Sequence, residues 1–218
     1  LWTLKDIPGW LEHTAASSDG MGLADVVFPA FLVIVGMSIP FSITSRKNKS
    51  ESTRNISIHI VERSFALIVM GIFLVNGESL NQAATGIPEY LYNPLCCLAF
   101  IFLWMTYPPR TNRWLKIVLK VVAVGILLTL AIIYRGGEDG SHRFGPVWYG
   151  ILGLIGWAYL VSALCYAWFP KIQYLLLFWL ICIIYNMAAL AHLIPRHSPV
   201  KIFTSPLGDG AIPALVMD

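Results

Sequence analysis

Six long apolar stretches, separated by short polar connections, dominate the pattern of hydrophobic and polar positions along the chain. Each is close to the roughly 20 residues that a helix needs to cross a bilayer core of about 30 Å. The predicted spans cover residues 23–45, 56–75, 88–107, 115–134, 147–169 and 172–194. We therefore expect an all-α fold: a polytopic integral membrane helix bundle of about six transmembrane helices, which forms a single membrane domain over residues 1–218.

Lysine and arginine are unevenly distributed between the connections, and this asymmetry predicts the orientation. Eight of them lie in or beside the first, third and fifth connections, against five on the opposite side, when the intramembrane residues Arg63 and Lys120 are left out. Because positive residues concentrate in cytoplasmic loops, those three connections are predicted to be cytoplasmic. The N-terminal segment, residues 1–22, and the C-terminal segment, residues 195–218, are then predicted to face outward.

The two ends of the sequence suggest a piece of a longer protein. The chain opens at Leu1 without an initiator methionine or a signal peptide. The C-terminal segment enters an apolar run that stops at Asp218 after about a quarter of a span. We therefore expect a fragment, with a helix before Leu1 and further helices after Asp218.

The composition excludes the main classes of water-soluble protein. Of the 218 residues, 57% are hydrophobic and 12% are charged, which is about half of the roughly 25% charged residues that a soluble domain carries. A net charge of +3 is also too small to imply a nucleic-acid partner. Four cysteines lie inside apolar runs without metal-site spacing, so we interpret them as small membrane-buried side chains and expect no metal: Cys96, Cys97, Cys165 and Cys182.

Ionisable residues in or beside the spans are the candidates for chemistry, because apolar residues in a membrane helix need no explanation. Asp25 opens the first span. It is either a carboxylate favoured by the helix dipole or a group that orients a base or binds an amine. His13 precedes it in the outward segment, either as a surface residue or as an acid–base group suited to neutral pH.

A third group lies near the cytoplasmic end of the second span and consists of His59, Glu62 and Arg63. His59 and Arg63 are four positions apart, so they share one face of a helix. The group is either a snorkelling arginine with a counter-ion or a cationic groove for an anionic cytosolic ligand such as a nucleotide phosphate.

Two features near the C-terminus add little. His192 and His197 are separated by a segment in which Pro195 breaks the helical register, and this argues against a zinc site. Asp209 precedes the last apolar run and is a second candidate for a carboxylate at an outer helix mouth.

The stretch from Trp10 to Ser42 resembles the N-terminal signature of the heparan-α-glucosaminide N-acetyltransferase-like family of multi-pass membrane acetyltransferases. That signature has a histidine in an outward loop, then a glycine, then an aspartate that opens a helix of the DLVFPxFLFIMGxSI type. Here it reads His13, then Gly20 and Gly22, then ADVVFPAFLVIVGMSIPFSI, in which the aspartate is Asp25. Later stretches, ERSFALIVMGIFLVNG and GPVWYGILGLIGWAYLVSALCY, are similar to the family's second helix and to bacterial members.

The resemblance implies an enzyme, an acetyl-CoA-dependent N-acetyltransferase in a bacterial cytoplasmic (inner) membrane. It would move acetyl from cytosolic acetyl-CoA, its co-substrate, to the amine of an amino sugar or glycan on the outer face. His13 corresponds to the family's active-site histidine, as general base or acetyl carrier, and Asp25 to the aspartate that opens the helix, so the two form the implied catalytic pair. His59 and Arg63 are further candidates for the coenzyme A end.

Other functions stay open on the residues alone. A multi-pass transporter or permease would use Asp25, Glu62 and Arg63 as pathway residues, at the bilayer midplane and within an inverted repeat. A structural membrane subunit would need no chemistry at all. The expected partners are an amino-sugar or glycan substrate and membrane lipid but no nucleic acid, and a homo-oligomer is open.

Overall fold

The computed structural model describes residues 8–11, 13–14, 20–146, 148–169 and 171–190. In these ranges the chain is helical, and extended pairing is limited to isolated bridges of Gly136 with Leu80 and with His142. A short 3-10 helix, Gly9–Leu11, comes first. It is followed by α1 (Leu23–Asn48), α2 (Thr53–Glu78), α3 (Gln82–Thr85), α4 (Glu89–Trp104), α5 (Arg113–Ile133), α6 (Gly150–Trp168) and α7 (Ile172–Leu190).

Most of these helices have the length and composition of membrane spans. Within the described residues, four are long and apolar enough to cross a bilayer, namely α1, α2, α5 and α6. Two shorter apolar helices, Tyr90–Trp104 and Leu176–Tyr185, lie within α4 and α7. Each of the six predicted spans overlaps one of these six helices. The protein is thus an integral membrane protein, and the predicted fold class, an all-α polytopic membrane bundle, is confirmed.

Helix ends follow local sequence signals. Asn112 caps α5, because its side-chain oxygen accepts a hydrogen bond from the Trp114 backbone N–H at 3.0 Å. Asn81 caps the short α3 in the same way, with the Ala84 N–H as donor at 3.0 Å. Helix α3 ends at Gly86, whose φ of 74° lies in the left-handed region that favours glycine.

The chain divides into two compact units. Unit 1 comprises the described residues of Leu1–Ser64 and Ile155–Asp218, and unit 2 comprises those of Phe65–Leu154. The boundaries fall inside α2 and α6, so each of these helices contributes to both units.

Unit 1 has a small apolar core formed by α1, α2 and α6. Its buried members are alanines, isoleucines and one tyrosine: Ile39, Ile43, Ile56, Ile60, Tyr159, Ala163 and Ala167. Most of the large apolar side chains of α1 are exposed instead, such as Phe31 and Phe41. A membrane helix with exposed apolar side chains faces lipid or further helices, so α1 packs within unit 1 mainly through the buried Ile39 and Ile43.

Unit 2 has a larger core in which aromatic rings from several segments meet. The Phe73 ring lies 4.6 Å from the Phe144 ring and 6.0 Å from the Phe100 ring, measured between centroids. Helices α4 and α5 pack against each other in this unit. Gly71 allows α2 to approach the start of α6 closely, since a Cβ atom there would lie 2.2 Å from the Tyr149 carbonyl oxygen.

Candidate active site

His13 and Asp25 are in direct contact at the start of α1, although 12 positions separate them in the sequence. The His13 Nδ1 atom lies 2.6 Å from the Asp25 Oδ1 atom, within hydrogen-bonding distance. The His13 side chain is 76% exposed and the Asp25 side chain is 28% exposed. The structure therefore brings together the two residues that the sequence singled out, at a place that is open on the histidine side.

Backbone donors hold the other oxygen of the Asp25 carboxylate. Its Oδ2 atom accepts hydrogen bonds from the Gly22 N–H at 2.8 Å and the Thr14 N–H at 3.1 Å. Gly22 is the N-cap of α1 and Asp25 occupies the third helical position, so the first of these bonds is one half of a capping box. Because the second bond ties Asp25 to the residue after His13, the aspartate fixes both the histidine ring and its backbone.

The electrostatics of this pair assign the tautomer of the histidine. A carboxylate is an acceptor, so the His13 Nδ1 atom carries the hydrogen and donates it to Asp25. The neutral ring then presents Nε2 as its basic nitrogen. Asp25 keeps its negative charge at the N-terminus of α1, where the helix dipole stabilises a carboxylate. An oriented histidine with a basic Nε2 can accept a proton or attack an acyl group.

The candidate residues in the N-terminal half of α2 are arranged differently. The His59 Nδ1 atom lies 3.7 Å from a carboxylate oxygen of Glu62, and both side chains are largely exposed. The Arg63 guanidinium lies over the Tyr159 ring of α6, 5.4 Å from its centroid. This cation–π contact lies within unit 1 and connects α2 to α6. Arg63 therefore has a defined position, whereas His59 lies beside an acidic residue of its own helix.

In the basic connection between α1 and α2, two cationic side chains already have partners within the protein. Arg46 bonds to the Glu51 carboxylate at 3.0 Å, and the Lys47 ammonium donates to the Ala167 carbonyl at 3.2 Å. Lys49 and Arg54, in the same connection, are exposed. Since Arg46 and Lys47 already hold an anionic or carbonyl partner, Lys49, Arg54 and Arg63 are the better-placed cations for an external anion.

Sequence reasoning overlooked a set of buried polar side chains in unit 2. Asn76, one residue past the predicted second span, is 1% exposed, and Tyr92, inside the predicted third span, is fully buried. The sequence carried no clear signal for Asn76, because it begins the polar segment that follows the predicted second span, whereas the structure extends α2 to Glu78 and buries it.

Three of the candidate residues from the sequence lie outside the described ranges. His192, His197 and Asp209 fall beyond residue 190, the last one described. Within the ranges that are described, no three His, Cys, Asp or Glu side chains come together as a group that could hold a metal ion. All four cysteines are thiols: Cys96 is buried, Cys97 is exposed, and the other two are partly buried.

Comparisons with known proteins place the chain in a family and relate it to acetyltransferases. It is 38% identical over 86 residues to a mouse protein named heparan-alpha-glucosaminide N-acetyltransferase, covering 39% of this chain and 11% of that protein. The human protein of the same name is 39% identical over 80 residues, covering 37% of this chain and 10% of that protein. The matched part of the chain therefore spans about a tenth of the length of these relatives.

These matches support the resemblance to the acetyltransferase family as a family-level link. No solved structure matches the chain. A family described as a domain of unknown function, DUF5009, matches residues 5–188. Since that match covers well over half of the sequence, the chain belongs to the DUF5009 family.

Proposed function

We propose that this protein is a transmembrane N-acetyltransferase that moves an acetyl group from cytosolic acetyl-CoA to the amine of an amino sugar on the outer face of a bacterial inner membrane. The observation that carries the proposal is the 2.6 Å contact between His13 Nδ1 and Asp25 Oδ1. The similarity to two proteins named heparan-alpha-glucosaminide N-acetyltransferase supports the reaction class.

His13 supplies the proton transfer that acylation of an amine needs. An amino sugar is an ammonium near neutral pH, and its nitrogen has no lone pair until a proton leaves. His13 Nε2 accepts that proton, and the nitrogen then attacks the thioester carbonyl. The C–N bond forms, the C–S bond breaks, and the sulfur of coenzyme A leaves as a thiolate that takes up a proton. Overall, the ammonium and the thioester yield an amide, a thiol and one released proton.

A second route uses the same histidine as an acetyl carrier. Nε2 attacks the thioester first, coenzyme A leaves, and the acetyl-imidazole then transfers its acetyl group to the deprotonated amine. In both routes Asp25 is a positioning residue, because it holds the ring through Nδ1 and stabilises the positive charge that the ring gains.

Arg63 and His59 belong to the coenzyme A end in this proposal. A guanidinium that stacks on an aromatic ring keeps its charge and most of its N–H donors, and phosphate groups are natural partners for such donors. The contact of Arg63 with Tyr159 supports this assignment. His59 supports it less, since Glu62 adds a negative charge beside it.

Acetyl transfer by the full-length protein tests the proposal. Purified protein in lipid vesicles receives labelled acetyl-CoA on one side and glucosamine on the other, and labelled N-acetylglucosamine is measured. We expect the His13→Ala variant to lose about a hundredfold or more of the rate, the typical share of a general base. His142 provides the matched control, because it is also an exposed loop histidine, and His142→Ala should retain activity.

Two results would contradict parts of this proposal, and a third measurement separates its two routes. Undiminished acetylation by His13→Ala would exclude the catalytic role of the histidine. Passage of glucosamine across the vesicle membrane without acetylation would favour a transporter instead. Incubation with labelled acetyl-CoA alone separates the two routes, because only the acetyl carrier leaves label on the protein, and that label should disappear in His13→Ala.

A further inference from the structure

An open groove lies along the exposed face of α1 at its C-terminal end, in unit 1. Its volume is about 610 Å³, within the range of roughly 300–1,000 Å³ that is typical of small-molecule sites. All of the side chains that line it belong to α1 and its C-cap: Pro40, Phe41, Thr44, Ser45, Asn48 and Lys49. We call this feature the α1 groove.

Contacts on the opposite face of α1 fix the direction in which the groove opens. Ile39 and Ile43 are buried in the core of unit 1. The Lys47 ammonium donates to the Ala167 carbonyl at 3.2 Å on the same side. The groove residues recur at spacings of three and four positions, so they share a different face of the helix, and Phe41 among them is 78% exposed. The α1 groove therefore opens away from the core of unit 1.

The lining of the groove changes from apolar to cationic toward the C-terminal end of α1. Pro40 and Phe41 supply apolar surface at one end. Thr44 and Ser45 add two hydroxyl groups in the middle, and Lys49 adds an ammonium group at the other end. The helix rises by about 13 Å over these positions. A surface with this order of groups is complementary to an amphiphile that has an apolar tail and an anionic head.

Positive charge is in excess at the cationic end of the groove. Residues 46–54, which connect α1 to α2, include four lysines and arginines but only one carboxylate, Glu51. That carboxylate is paired with Arg46 at 3.0 Å. Lys49 and Arg54 are exposed, and neither forms an ion pair with another described residue. An anion beside Lys49 therefore meets positive charge that the described part of the chain does not neutralise.

The position of the groove relative to the membrane favours a lipid over a water-soluble anion. The predicted first span ends at residue 45, so the apolar half of the groove lies within the span, and its cationic end lies in the connection that is predicted to be cytoplasmic. Basic residues beside a span attract the anionic headgroups of the cytoplasmic leaflet. A free phosphate would leave the apolar half of the groove unfilled, whereas a phospholipid matches both halves.

We propose that the α1 groove binds one anionic phospholipid of the cytoplasmic leaflet. An acyl chain packs against Pro40 and Phe41, the hydroxyl groups of Thr44 and Ser45 donate hydrogen bonds to ester oxygens, and Lys49 pairs with the phosphate. The inference goes beyond acetyl transfer and does not depend on it, because no groove residue belongs to the proposed catalytic pair or to the proposed coenzyme A end.

Competition between two lipids tests the charge selectivity of the groove. The full-length protein is incubated in detergent micelles with equal amounts of phosphatidylglycerol, which is anionic, and phosphatidylcholine, which is zwitterionic, and native mass spectrometry measures the retained lipids. The unmodified protein should prefer phosphatidylglycerol about fivefold or more, and Lys49→Gln should lower this preference about fivefold, the usual effect of one basic residue at a membrane surface. Lys49→Arg should keep it. Lys171→Gln is the matched control, because Lys171 is an exposed lysine in another predicted cytoplasmic connection.

A bulky side chain in the groove tests the binding place itself. In Ser45→Trp the indole fills the groove, so the preferential retention of phosphatidylglycerol should be lost. Val27→Trp is the control, because Val27 is 48% exposed on the same helix and lies outside the groove. Equal retention of both lipids by the unmodified protein would overturn the proposal without any variant. Undiminished preference in both Lys49→Gln and Ser45→Trp would also overturn it, and this is the result expected if another protein segment covers the groove.

Coenzyme A, added without phospholipid, separates a soluble anion from a lipid headgroup. Its binding to the full-length protein should be the same for the unmodified protein, Lys49→Gln and Ser45→Trp. If both variants bind coenzyme A more weakly but keep their preference for phosphatidylglycerol, the groove belongs to a nucleotide and the lipid assignment is wrong.

Discussion

The two units of this protein keep their polar side chains in opposite surroundings. In unit 1 the candidate chemistry is exposed: the side chains of His13, His59 and Glu62 are 76%, 48% and 70% accessible. In unit 2 the notable polar groups are buried, with Asn76 1% exposed and Tyr92 fully enclosed. An exposed group can exchange protons and meet a substrate, whereas a buried one acts through packing and fixed hydrogen bonds. Function in the two units should therefore respond differently to the same kind of substitution.

The largest expected effect concerns the exposed pair of unit 1. In Asp25→Asn the new amide can donate to His13 Nδ1, which favours the tautomer with its hydrogen on Nε2 and removes the base. We expect kcat for acetyl transfer to fall about a hundredfold. The free energy of unfolding should change by only about 1 kcal/mol, since an asparagine oxygen can still accept the Gly22 N–H.

Glu138→Gln is the control for the loss of one exposed carboxylate, because Glu138 lies in another predicted outward connection. It should leave kcat unchanged. If Asp25→Asn retains activity within about twofold, a range far below the usual contribution of an acid–base group, then Asp25 does not position His13 for the reaction.

The next largest effect is on the free energy of unfolding, and it compares alanine substitutions at two helical glycines. In unit 2, a Cβ at Gly71 would lie 2.2 Å from the Tyr149 carbonyl oxygen and 2.5 Å from the Gly153 nitrogen, so backbone must move. We expect Gly71→Ala to lower the free energy of unfolding in detergent by about 2 kcal/mol or more, as overpacking does. In unit 1, no atom lies within 4 Å of a Cβ at Gly36, and Gly36→Ala should be neutral or slightly stabilising.

Thermal unfolding of the two alanine variants in the same detergent measures this difference. Equal stability of both variants would mean that α2 and α6 are not in close contact at Gly71. A strong destabilisation by Gly36→Ala would show that α1 is packed against protein on the face that carries Gly36.

The sequence was most informative where a pattern repeats and least where a contact depends on chain path. Apolar runs of membrane length predicted the helices, and Asp25 stood out as a carboxylate at a helix mouth. The contact of His13 with Asp25 required the family resemblance, because no periodicity in the sequence predicts that these two residues meet. The Arg63–Tyr159 contact joins positions 96 apart and has no local signal. Asn76 follows the predicted second span, and its contact with Gly145, 69 positions away, has no local signal either.

The smallest expected effect is the contribution of one solvent-exposed ion pair to the stability of unit 1. Arg46 and Glu51 form an ion pair at 3.0 Å, with both side chains 31% exposed. Water screens such a pair, and ordering two long side chains costs entropy, so a double-mutant cycle with Arg46→Ala and Glu51→Ala should give about 0.5 kcal/mol. The coupling should shrink in high salt. A salt-independent coupling of about 2 kcal/mol or more would exceed what exposed pairs provide. It would mean that the connection between α1 and α2 is shielded from water, and that the contrast between exposed polar groups in unit 1 and buried ones in unit 2 fails there.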